Sequence, residues 1–302
     1  MEHMEKVRAL CEGAGCDCIP GAPMKDYTSF RIGGPAALLL KPKSVEEICW
    51  IRRNLTGRAP VWFIGKGSNL LIPDEGLDGI VVVLGPEFSA VDVLEDGETL
   101  ACEAGAPLMK ACREALDRGL TGLEFAWGIP GSVGGGVYMN AGAYGGEMKD
   151  VVLWCEHVDA EGTLRRMEAE ELEYRYRHSF YTGKDLCIVR AAFRLKKGDP
   201  EAIRARMDEL MERRKSKQPL EFPSAGSTFK RPEGAYAAAL IEQCGLKGLR
   251  VGGAMVSEKH SGFLINFQDA TCADVRELIR QVQEAVFRQT GYRLECEVGT
   301  LK

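Results

Sequence analysis

The feature that most constrains this chain is the stretch of residues 122–146, in which nine of 25 residues are glycine and charge is almost absent. Glycine at this density costs chain entropy, and it is typical of backbone that turns at positive φ or approaches another group closely. The run 131–136 indicates backbone N–H groups that face an anion. Residues 140–143 form a second small-residue segment whose backbone could lie close to a ligand. A purely structural loop between strands is the alternative. Five apolar residues interleave the glycines and favour a ligand with both phosphates and a flat ring: Phe125, Trp127, Ile129, Val133 and Val137.

Composition narrows the class of protein. The chain has 302 residues, of which 45% are hydrophobic and 27% charged, and this suits a soluble globular protein of two or three domains. A net charge of -5 argues against non-specific binding of nucleic acid. No apolar run approaches the ~20 residues of a membrane helix, and the polar residues 1–8 predict no signal peptide. We therefore expect a cytoplasmic protein that neither binds nucleic acid nor inserts into a membrane.

The eleven cysteines are scattered, and only Cys11, Cys16 and Cys18 form a cluster. This cluster has neither CxxC spacing nor a nearby histidine, so we predict no metal site. Reduced thiols of a cytoplasmic protein are the simpler interpretation.

A second glycine-containing segment follows a buried-type strand. Residues 61–64 are apolar and lead directly into the loop 65–71. This order is typical of a dinucleotide fingerprint, but Leu70 stands where a third glycine is required, so a Rossmann assignment is weak. Phosphate held by loop amides and a tight β-turn are the two open interpretations.

Periodicity predicts the other elements. Ser44 and Glu47 form a capping box for a helix expected to end near Asn54, and a second helix ends at Gly119. The segment 173–181 holds two arginines and three tyrosines, which is unusual for a plain loop, although a solvated strand edge is the default. We expect strands at 36–40, 79–84, 100–104, 151–158, 186–195, 262–267 and 294–298, helices at 235–244 and from Thr271 to Gly291, a small-residue loop at 223–230, and a domain boundary at 197–200.

Nine short motifs in one order span residues 20–298, nearly the whole chain. On these motifs the chain resembles the UDP-N-acetylenolpyruvoylglucosamine reductases, flavoenzymes of bacterial peptidoglycan precursor synthesis. Each motif alone is modest, but nine in order are highly specific. They are residues 28–34, 65–71, 128–135, 140–146, 176–180, 223–230, 245–248, 257–260 and 294–298.

The resemblance implies an α+β fold with two parts. Residues 1–198 would form an FAD-binding region of the vanillyl-alcohol-oxidase-like type, with two subdomains split near residue 79. Residues 199–302 would form a C-terminal α+β substrate-binding domain, whose last strand could pack back on the FAD region. The implied cofactor is non-covalent FAD, and the implied electron donor is NADPH. The implied substrate, UDP-N-acetylglucosamine enolpyruvate, would be reduced to UDP-N-acetylmuramate, which connects the chain to cell wall biogenesis, cell shape and cell division.

Three catalytic residues follow from the resemblance. Negative charge builds on the substrate carboxylate during the reduction, so a cation and a proton donor are needed. Arg177 would supply the planar charge, Ser227 would protonate carbon directly or relay a proton from water, and Glu297 would assist. The alternatives are Arg175 for Arg177, Glu295 for Glu297, and a turn or cap role for Ser227.

The resemblance also implies binding residues. Tyr176, Lys217, Lys230 and His260 would contact substrate, although each in isolation is more often plain surface. The FAD contacts would come from the two glycine-containing segments: Gly65, Lys66, Gly67, Ser68, Asn69, Leu70, Ile129, Pro130, Gly131, Ser132, Gly134, Gly135, Asn140, Ala141, Gly142 and Ala143.

The chain departs from the family pattern in three places. The connection 181–185 leaves no room for the tyrosine-bearing loop of the larger type, so we expect the short type, with the cover over the substrate undefined. Arg231 stands where asparagine is common. Residues 299–302 stand where an arginine and apolar residues are usual, which raises the question of how Glu297 is anchored.

Two other functions are consistent with the residues. One is a flavin oxidase on the same scaffold, but such oxidases often tether flavin through histidine or cysteine, and no histidine lies in the glycine-rich motifs. The other is a flavin or UDP-sugar binding protein without turnover, which the presence of all three catalytic residue types disfavours. The four histidines are His3, His157, His178 and His260.

Overall fold

The computed structural model describes residues 2–301 and forms two compact units that interleave in sequence. Unit 1 consists of Met1–Pro20, Leu38–Lys66 and Gly79–Arg213. Unit 2 consists of Gly21–Ala37, Gly67–Asp78 and Arg214–Lys302. Two short segments from the N-terminal part of the chain therefore belong with its C-terminal part. The predicted domain division at residues 198 and 199, and the subdomain split near 79, stay predictions.

Helices and short strands alternate over the described residues. The helices are α1 Glu2–Gly13, α2 Val45–Leu55, α3 Leu108–Asp117, α4 Val133–Tyr138, α5 Pro200–Lys217, α6 Ala237–Gln243 and α7 Cys272–Thr290. The strands are β1 Cys18–Pro23, β2 Pro35–Leu40, β3 Val61–Ile64, β4 Leu70–Leu71, β5 Leu77–Val83, β6 Val91–Val93, β7 Thr99–Glu103, β8 Leu120–Thr121, β9 Gly142–Ala143, β10 Gly146–Glu147, β11 Val152–Val158, β12 Leu164–Glu168, β13 Cys187–Arg194, β14 Lys196–Lys197, β15 Ser224–Ser227, β16 Arg250–Val251, β17 Ala254–Val256, β18 Phe263–Asn266 and β19 Gly299–Thr300.

Unit 1 is built around an antiparallel sheet of five strands in the order β12-β11-β13-β7-β6. Helix α3 packs its apolar face into the core beside this sheet, and all five predicted face residues are buried: Leu108, Ala111, Cys112, Ala115 and Leu116. Gly119 follows the helix at φ 63°, as its predicted role at the helix end requires. A four-stranded sheet has the order β1-β2-β5-β3, in which β3 and β5 run parallel.

Unit 2 contains an antiparallel sheet in the order β15-β18-β17-β16. Helix α7 covers it with a buried apolar face of Val275, Leu278, Val282 and Val286. Its start is a full capping box between Thr271 and Asp274, and it ends before Gly291 at φ 77°, so both predicted ends are confirmed.

Three local predictions need correction. The Ser44 hydroxyl accepts the N–H of Glu47, but the Glu47 carboxylate accepts the N–H of Lys43 and not that of Ser44, so the capping box is only half formed. The predicted loop 223–230 contains strand β15. The predicted strand 294–298 is wrong in position. Within residues 2–301 this segment forms an isolated bridge between Cys296 and Phe229, and the regular strand is β19.

Candidate functional site

The glycine-rich run in unit 1 folds as the short helix α4, which begins after Ser132. The buried Ser132 side chain accepts the N–H of Gly135 at 3.4 Å, as a helix cap does. The N–H groups of Val133 and Gly134 donate to the carbonyls of Ala106 and Ala104, both at 2.8 Å. The expectation of a continuous run of exposed N–H groups is therefore wrong for residues 133–136, because the protein itself uses these donors.

Glycine at position 134 is required by packing. A Cβ atom there would lie 2.8 Å from the Cβ of Ala104, closer than two such atoms approach in proteins. Gly134 is therefore present because α4 lies directly against the end of β7. A role for Gly134 or Gly135 in contacting the cofactor stays a prediction.

The two glycine-containing motifs meet in unit 1 at the end of β3. A Cβ atom on Gly65 would lie 2.0 Å from the Oγ of Ser132, so the backbone of the first motif touches the second. Within residues 2–301, no protein group accepts the backbone N–H of Gly65, Lys66, Gly131 or Ser132. Lys66 adds an exposed cationic side chain. Unpaired amides beside small residues suit the oxygens of a phosphate group.

Asn140 organises the hairpin that follows α4. It is fully buried, with φ 44°. Its side-chain nitrogen donates to the Glu147 carboxylate at 2.7 Å and to the Arg175 carbonyl at 3.0 Å, and its oxygen accepts the N–H of Lys149 at 3.0 Å. The amide of Asn140 thus fastens strands β9 and β10 to the arginine-rich segment. Direct contact between Asn140 and the cofactor stays a prediction.

Arg177 lies at the tip of a tight turn. Arg175 and His178 exchange two backbone hydrogen bonds of 3.1 Å, which leaves Tyr176 and Arg177 between them. Arg177 has φ 53°, a conformation that costs a residue with a side chain roughly 1–3 kcal/mol. Its guanidinium lies 5.1 Å from the centre of the Tyr176 ring, and its Nη2 donates to the Gly142 carbonyl at 3.4 Å. Since Arg175 is exposed, this geometry favours Arg177 as the functional arginine.

Unit 2 brings Ser227 and Glu297 onto neighbouring segments. Ser227 ends strand β15 and is exposed. The N–H of Glu297 donates to the carbonyl of Thr228, the next residue, at 2.7 Å, and Lys230 donates its N–H to the Glu295 carbonyl at 2.8 Å. The Ser227 hydroxyl bonds to no protein group in the described part of the chain, whereas Ser224 accepts the N–H of Gly226 at 3.4 Å. The turn role that serine often has beside glycine thus belongs to Ser224.

The two candidate glutamates, Glu295 and Glu297, differ in their exposure and in their bonding partners. The side chain of Glu295 is 73% exposed and forms an ion pair with Lys230 at 2.5 Å. Glu297 is half-buried, and its backbone is held on both sides, because its carbonyl also accepts the Asn69 side-chain amide at 3.1 Å. This answers the question of how Glu297 is anchored, and it favours Glu297 over Glu295.

Part of the first glycine motif supports this region within unit 2. Gly67 has φ 57°, and a Cβ atom there would lie 2.2 Å from the Tyr27 carbonyl oxygen. Strand β4 at Leu70 runs parallel to β19 at Gly299, whose N–H donates to the Asn69 carbonyl at 2.9 Å. Residues 67–70 therefore lie along the segment that carries Glu297.

Lys217 and His260 form a second polar group in unit 2. The Nδ1 of His260 accepts the N–H of Gly262 at 3.2 Å, so the neutral ring carries its proton on Nε2 and can donate it. Burial lowers the pKa of His260, and the positive charges of Lys247 and Lys217 act in the same direction. The exposed Lys217 is thus electrostatically coupled to His260, and both suit an anionic ligand.

Two family models match separate parts of the chain. Residues 36–168 match the FAD binding domain family. Residues 218–301 match the C-terminal domain of UDP-N-acetylenolpyruvoylglucosamine reductase. The enzyme of that name from Syntrophomonas wolfei is 46% identical over 277 residues, which is 91% of this chain and 92% of the relative. The chain belongs to the UDP-N-acetylenolpyruvoylglucosamine reductase family. The resemblance predicted from the nine motifs is confirmed.

Other relatives agree with this assignment. The reductase from Caldanaerobacter subterraneus is 46% identical over 280 residues, 91% of each chain. The crystal structure of the reductase from Thermus caldophilus has a TM-score of 0.81 at 38% identity and covers 95% of this chain and 99% of its own. A glucooligosaccharide oxidase from Acremonium strictum has a TM-score of 0.51 at 14% identity, over 96% of this chain and 59% of that one, and it shares the fold alone. The predicted α+β fold with a flavoprotein scaffold is confirmed.

The chain has supporting residues that the motifs alone did not single out. In unit 2 the Ser29 hydroxyl donates to the Ser224 carbonyl at 2.7 Å, and the Asn266 amide donates to the Phe30 carbonyl at 3.2 Å. The first motif, 28–34, thus holds the strand that carries Ser227. In unit 1 the buried Ser179 donates to the Tyr138 carbonyl at 2.8 Å. Ser29 lies in the motif 28–34 and Ser179 in the motif 176–180, so membership of a motif was the sequence signal for both residues.

The geometry of the chain's own residues suits FAD. The unpaired amides of Gly65, Lys66, Gly131 and Ser132 lie where the first motif touches the second, and a Cβ atom on Gly65 would lie 2.0 Å from the Ser132 Oγ. These are the groups we expect to hold the cofactor's phosphates. In the described residues no helix has both the length and the apolar character to cross a membrane.

Proposed function

We propose that this chain catalyses the reduction of UDP-N-acetylglucosamine enolpyruvate to UDP-N-acetylmuramate in peptidoglycan precursor synthesis, with FAD as bound cofactor and NADPH as electron donor. Family membership over 91% of the chain supports the reaction class. The observation that carries the residue assignment is the backbone pairing of Thr228 with Glu297, because it holds a serine hydroxyl and a carboxylate on adjacent segments. Through this activity the protein serves cell shape and division, and it works in the cytoplasm.

FAD held by the backbone amides of Gly65, Lys66, Gly131 and Ser132 would supply the hydride that the terminal carbon of the enolpyruvyl double bond receives. The chain's own residues must then stabilise the negative charge on the neighbouring carbon and its carboxylate. Arg177 provides a permanent planar cation with paired donors for that carboxylate. Its strained turn and its contact with Gly142 hold the guanidinium in one place, so little conformational entropy is lost when substrate binds.

Ser227 completes the reaction by delivering a proton to carbon. A serine hydroxyl is a weak acid, and it serves here because the carbon that receives the proton is strongly basic. The hydroxyl has no partner in the described residues, so it is available to donate to substrate or to relay a proton from water. Glu297, anchored through Thr228 and Asn69, supports the negatively charged substrate if it carries or shares a proton.

The polar groups of unit 2 suit the nucleotide part of the substrate. Lys217 offers an exposed positive charge whose field reaches His260, and His260 offers a neutral Nε2–H donor. Lys230 is positioned by its ion pair with Glu295, and exposed Tyr176 lies beside Arg177 in unit 1. A diphosphate needs charged donors of this kind.

The test is an anaerobic visible spectrum of the purified protein with FAD. NADPH should bleach the flavin absorbance, and UDP-N-acetylglucosamine enolpyruvate should then restore it. Restoration by oxygen alone would indicate an oxidase. Bleaching followed by no restoration with either reagent would indicate a binding protein without turnover. Failure to bind FAD at all would contradict both the cofactor and the assignment of the Gly65 and Ser132 backbone. Denaturation should release the flavin, as non-covalent binding requires.

A further inference from the structure

Tyr236 has the most exposed large apolar side chain within residues 2–301, with 62% of its surface accessible. It occupies the N-cap of α6, where serine, threonine, aspartate or asparagine usually accepts a backbone N–H. The Tyr236 side chain accepts no such bond, and among the described residues its hydroxyl has no hydrogen-bond partner. The fold alone therefore does not explain why a large aromatic side chain stands at this position.

Arg231 holds the ring of Tyr236 in one orientation. The central carbon of its guanidinium lies 4.6 Å from the centre of the ring, which is the geometry of a cation–π contact. The backbone is fixed as well, because the Tyr236 carbonyl accepts the N–H of Leu240 at 3.1 Å. A flat ring that is exposed and already ordered loses little conformational entropy when it binds a ligand.

The ring is held close to the strand that carries the predicted proton donor. The N–H of Thr228, the residue after this serine, donates to the Gly262 carbonyl at 2.9 Å. A Cβ atom on Gly262 would lie 3.3 Å from the Cβ of Ala238, the second residue of α6. The buried Ser261 side chain also donates to the Ala238 carbonyl at 2.6 Å. The start of α6, with Tyr236 immediately before it, is thus fastened beside the candidate site of unit 2.

The surroundings of this ring are cationic or hydrogen-bond donating. The Cβ atom on Gly262 would also lie 3.1 Å from the Cε1 of His260, so the imidazole and Ala238 flank the same point. Lys230 and Arg231 add two cationic side chains to the segment that leads from the strand to α6. A ligand that suits this region is flat at one end and anionic next to it, which is the chemistry of a nucleoside diphosphate.

We propose that Tyr236, oriented by Arg231, stacks on the uracil ring of the UDP-linked substrate. This inference rests on the proposed function, because it names the residue that binds the nucleotide end of that same substrate. The backbone from Ser227 to Arg231 spans at most ~14 Å. One extended nucleotide sugar can therefore place its enolpyruvyl group at Ser227 and its base on the ring.

The expected effect is on binding and not on the chemical step. Stacking on an aromatic side chain strengthens the binding of a base by about 5–100-fold, and any base is accepted because each has a π face. The base is far from the reacting carbon, so the contact is the same before and during the reaction. Loss of the ring should therefore raise KM and leave kcat unchanged.

The experiment measures the binding of UDP and of inorganic diphosphate by isothermal titration calorimetry, with the full-length protein and FAD bound. Tyr236→Ala should bind UDP about 5–100-fold more weakly than the unmodified chain. Tyr236→Phe keeps the ring and should bind UDP nearly as tightly as the unmodified chain. Inorganic diphosphate lacks a base, so all three proteins should bind it equally. The KM for UDP-N-acetylglucosamine enolpyruvate should rise in Tyr236→Ala by the same factor as the dissociation constant of UDP.

Phe287 provides the matched control within unit 2. Its side chain is 43% exposed, and the guanidinium of Arg293 lies 4.2 Å from the centre of its ring. Phe287→Ala thus removes the same kind of pair from the surface of α7, outside the proposed site. It should bind UDP as the unmodified chain does. Melting temperature and flavin absorbance measure the folding of each variant.

Two results would overturn the proposal and leave the proposed function intact. One is equal affinity for UDP in Tyr236→Ala and the unmodified chain. The other is an equal loss of affinity for UDP and for inorganic diphosphate, because the ring would then act on the phosphates and not on the base. If Tyr236→Ala folds poorly, Tyr236→Leu keeps an apolar side chain without a π face and should show the same loss. An unmodified chain that binds FAD but no UDP would contradict the substrate of the proposed function itself.

Discussion

Residues 131–136 of unit 1 and 224–228 of unit 2 are both runs of small residues, yet their glycines serve different purposes. Gly134 has no room for a side chain, because Ala104 lies 2.8 Å from where its Cβ would be. Gly226 has open space around it but sits at φ 76°, which only glycine adopts readily. The first segment thus allows two parts of the backbone to pack closely together. The second forms a bent strand that presents the Ser227 side chain. Substitutions should therefore affect folding and cofactor binding in unit 1 and turnover in unit 2.

The largest expected effect is on Ser227. Ser227→Ala should leave FAD binding and the bleaching of flavin by NADPH intact, and should slow reduction of the enolpyruvyl substrate by about 10²–10⁴-fold, the usual contribution of a positioned proton donor. Stopped-flow measurement of the two half-reactions separates these steps. Ser224→Ala, on the same strand, is the matched control and should turn over nearly normally. Normal turnover of Ser227→Ala would exclude this serine as the proton donor.

The second prediction separates the two glutamates. Glu297→Gln should lower kcat by about 10²-fold, because a fixed group beside developing charge is lost. Glu295→Gln should change kcat less than about fivefold, because an exposed ion pair contributes only about 0–1 kcal/mol. Steady-state kinetics on both variants is the measurement. Equal losses would mean that the Lys230 ion pair is as important as the anchored carboxylate.

The third prediction concerns packing in unit 1. Gly134→Ala should lower the free energy of unfolding by about 1–3 kcal/mol and weaken FAD binding, since the added methyl group overpacks the contact with Ala104. Gly135→Ala should be neutral or slightly stabilising, because this position is exposed, helical and free of close neighbours apart from Ser132 at 3.4 Å. Urea titration and FAD titration measure both. Similar losses of the free energy of unfolding for the two variants would contradict the packing argument.

Local sequence patterns were enough to predict many of the helices and their ends. The features that they did not predict depend on contacts between residues far apart in the sequence. The buried face of α3 and both ends of α7 follow from spacing and capping residues within a few positions. The reason for Gly134 does not, because it depends on Ala104, thirty residues earlier. The same holds for the site: the bond from Asn69 to Glu297 joins residues 228 apart, and the pair of Lys230 with Glu295 joins residues 65 apart.

The order of the motifs was enough to predict the candidate site residues. Their hydrogen-bond partners could be identified only from the folded structure. Ser224 and Ser227 are equally suited to a turn by sequence, and only strand geometry separates them. The glycine-rich composition of 133–136 predicts backbone N–H groups without protein acceptors. The fold shows instead that the carbonyls of Ala104, Ala106 and Ser132 accept hydrogen bonds from three of these N–H groups. Whether a backbone N–H group has a hydrogen-bond acceptor therefore depends on which residues the tertiary fold places next to it.

The smallest expected effect concerns His260, whose folded-state pKa lies below its unfolded value because burial disfavours the charged ring. Between these two pKa values the unfolded chain binds more protons than the folded one. The contribution of His260 to the free energy of unfolding is therefore fully present above pH ~6.5 and is lost as the pH falls through the folded-state pKa. Protonation would also place a proton on Nδ1 facing the N–H of Gly262. His260→Gln should therefore flatten the fall in stability between pH 7 and pH 5, measured by urea titration at each pH.

His157 provides the comparison within unit 1. Burial lowers its pKa as well, and its Nδ1 lies 3.2 Å from the Tyr181 hydroxyl, which can rotate so that its oxygen accepts a hydrogen bond from the protonated ring. The N–H of Gly262 cannot reorient in this way, so protonation should disturb the surroundings of His260 more. We expect His157→Gln to flatten the pH dependence less than His260→Gln does. The reverse order would mean that burial alone, and not the fixed backbone donor, sets the sensitivity of these two histidines to acid.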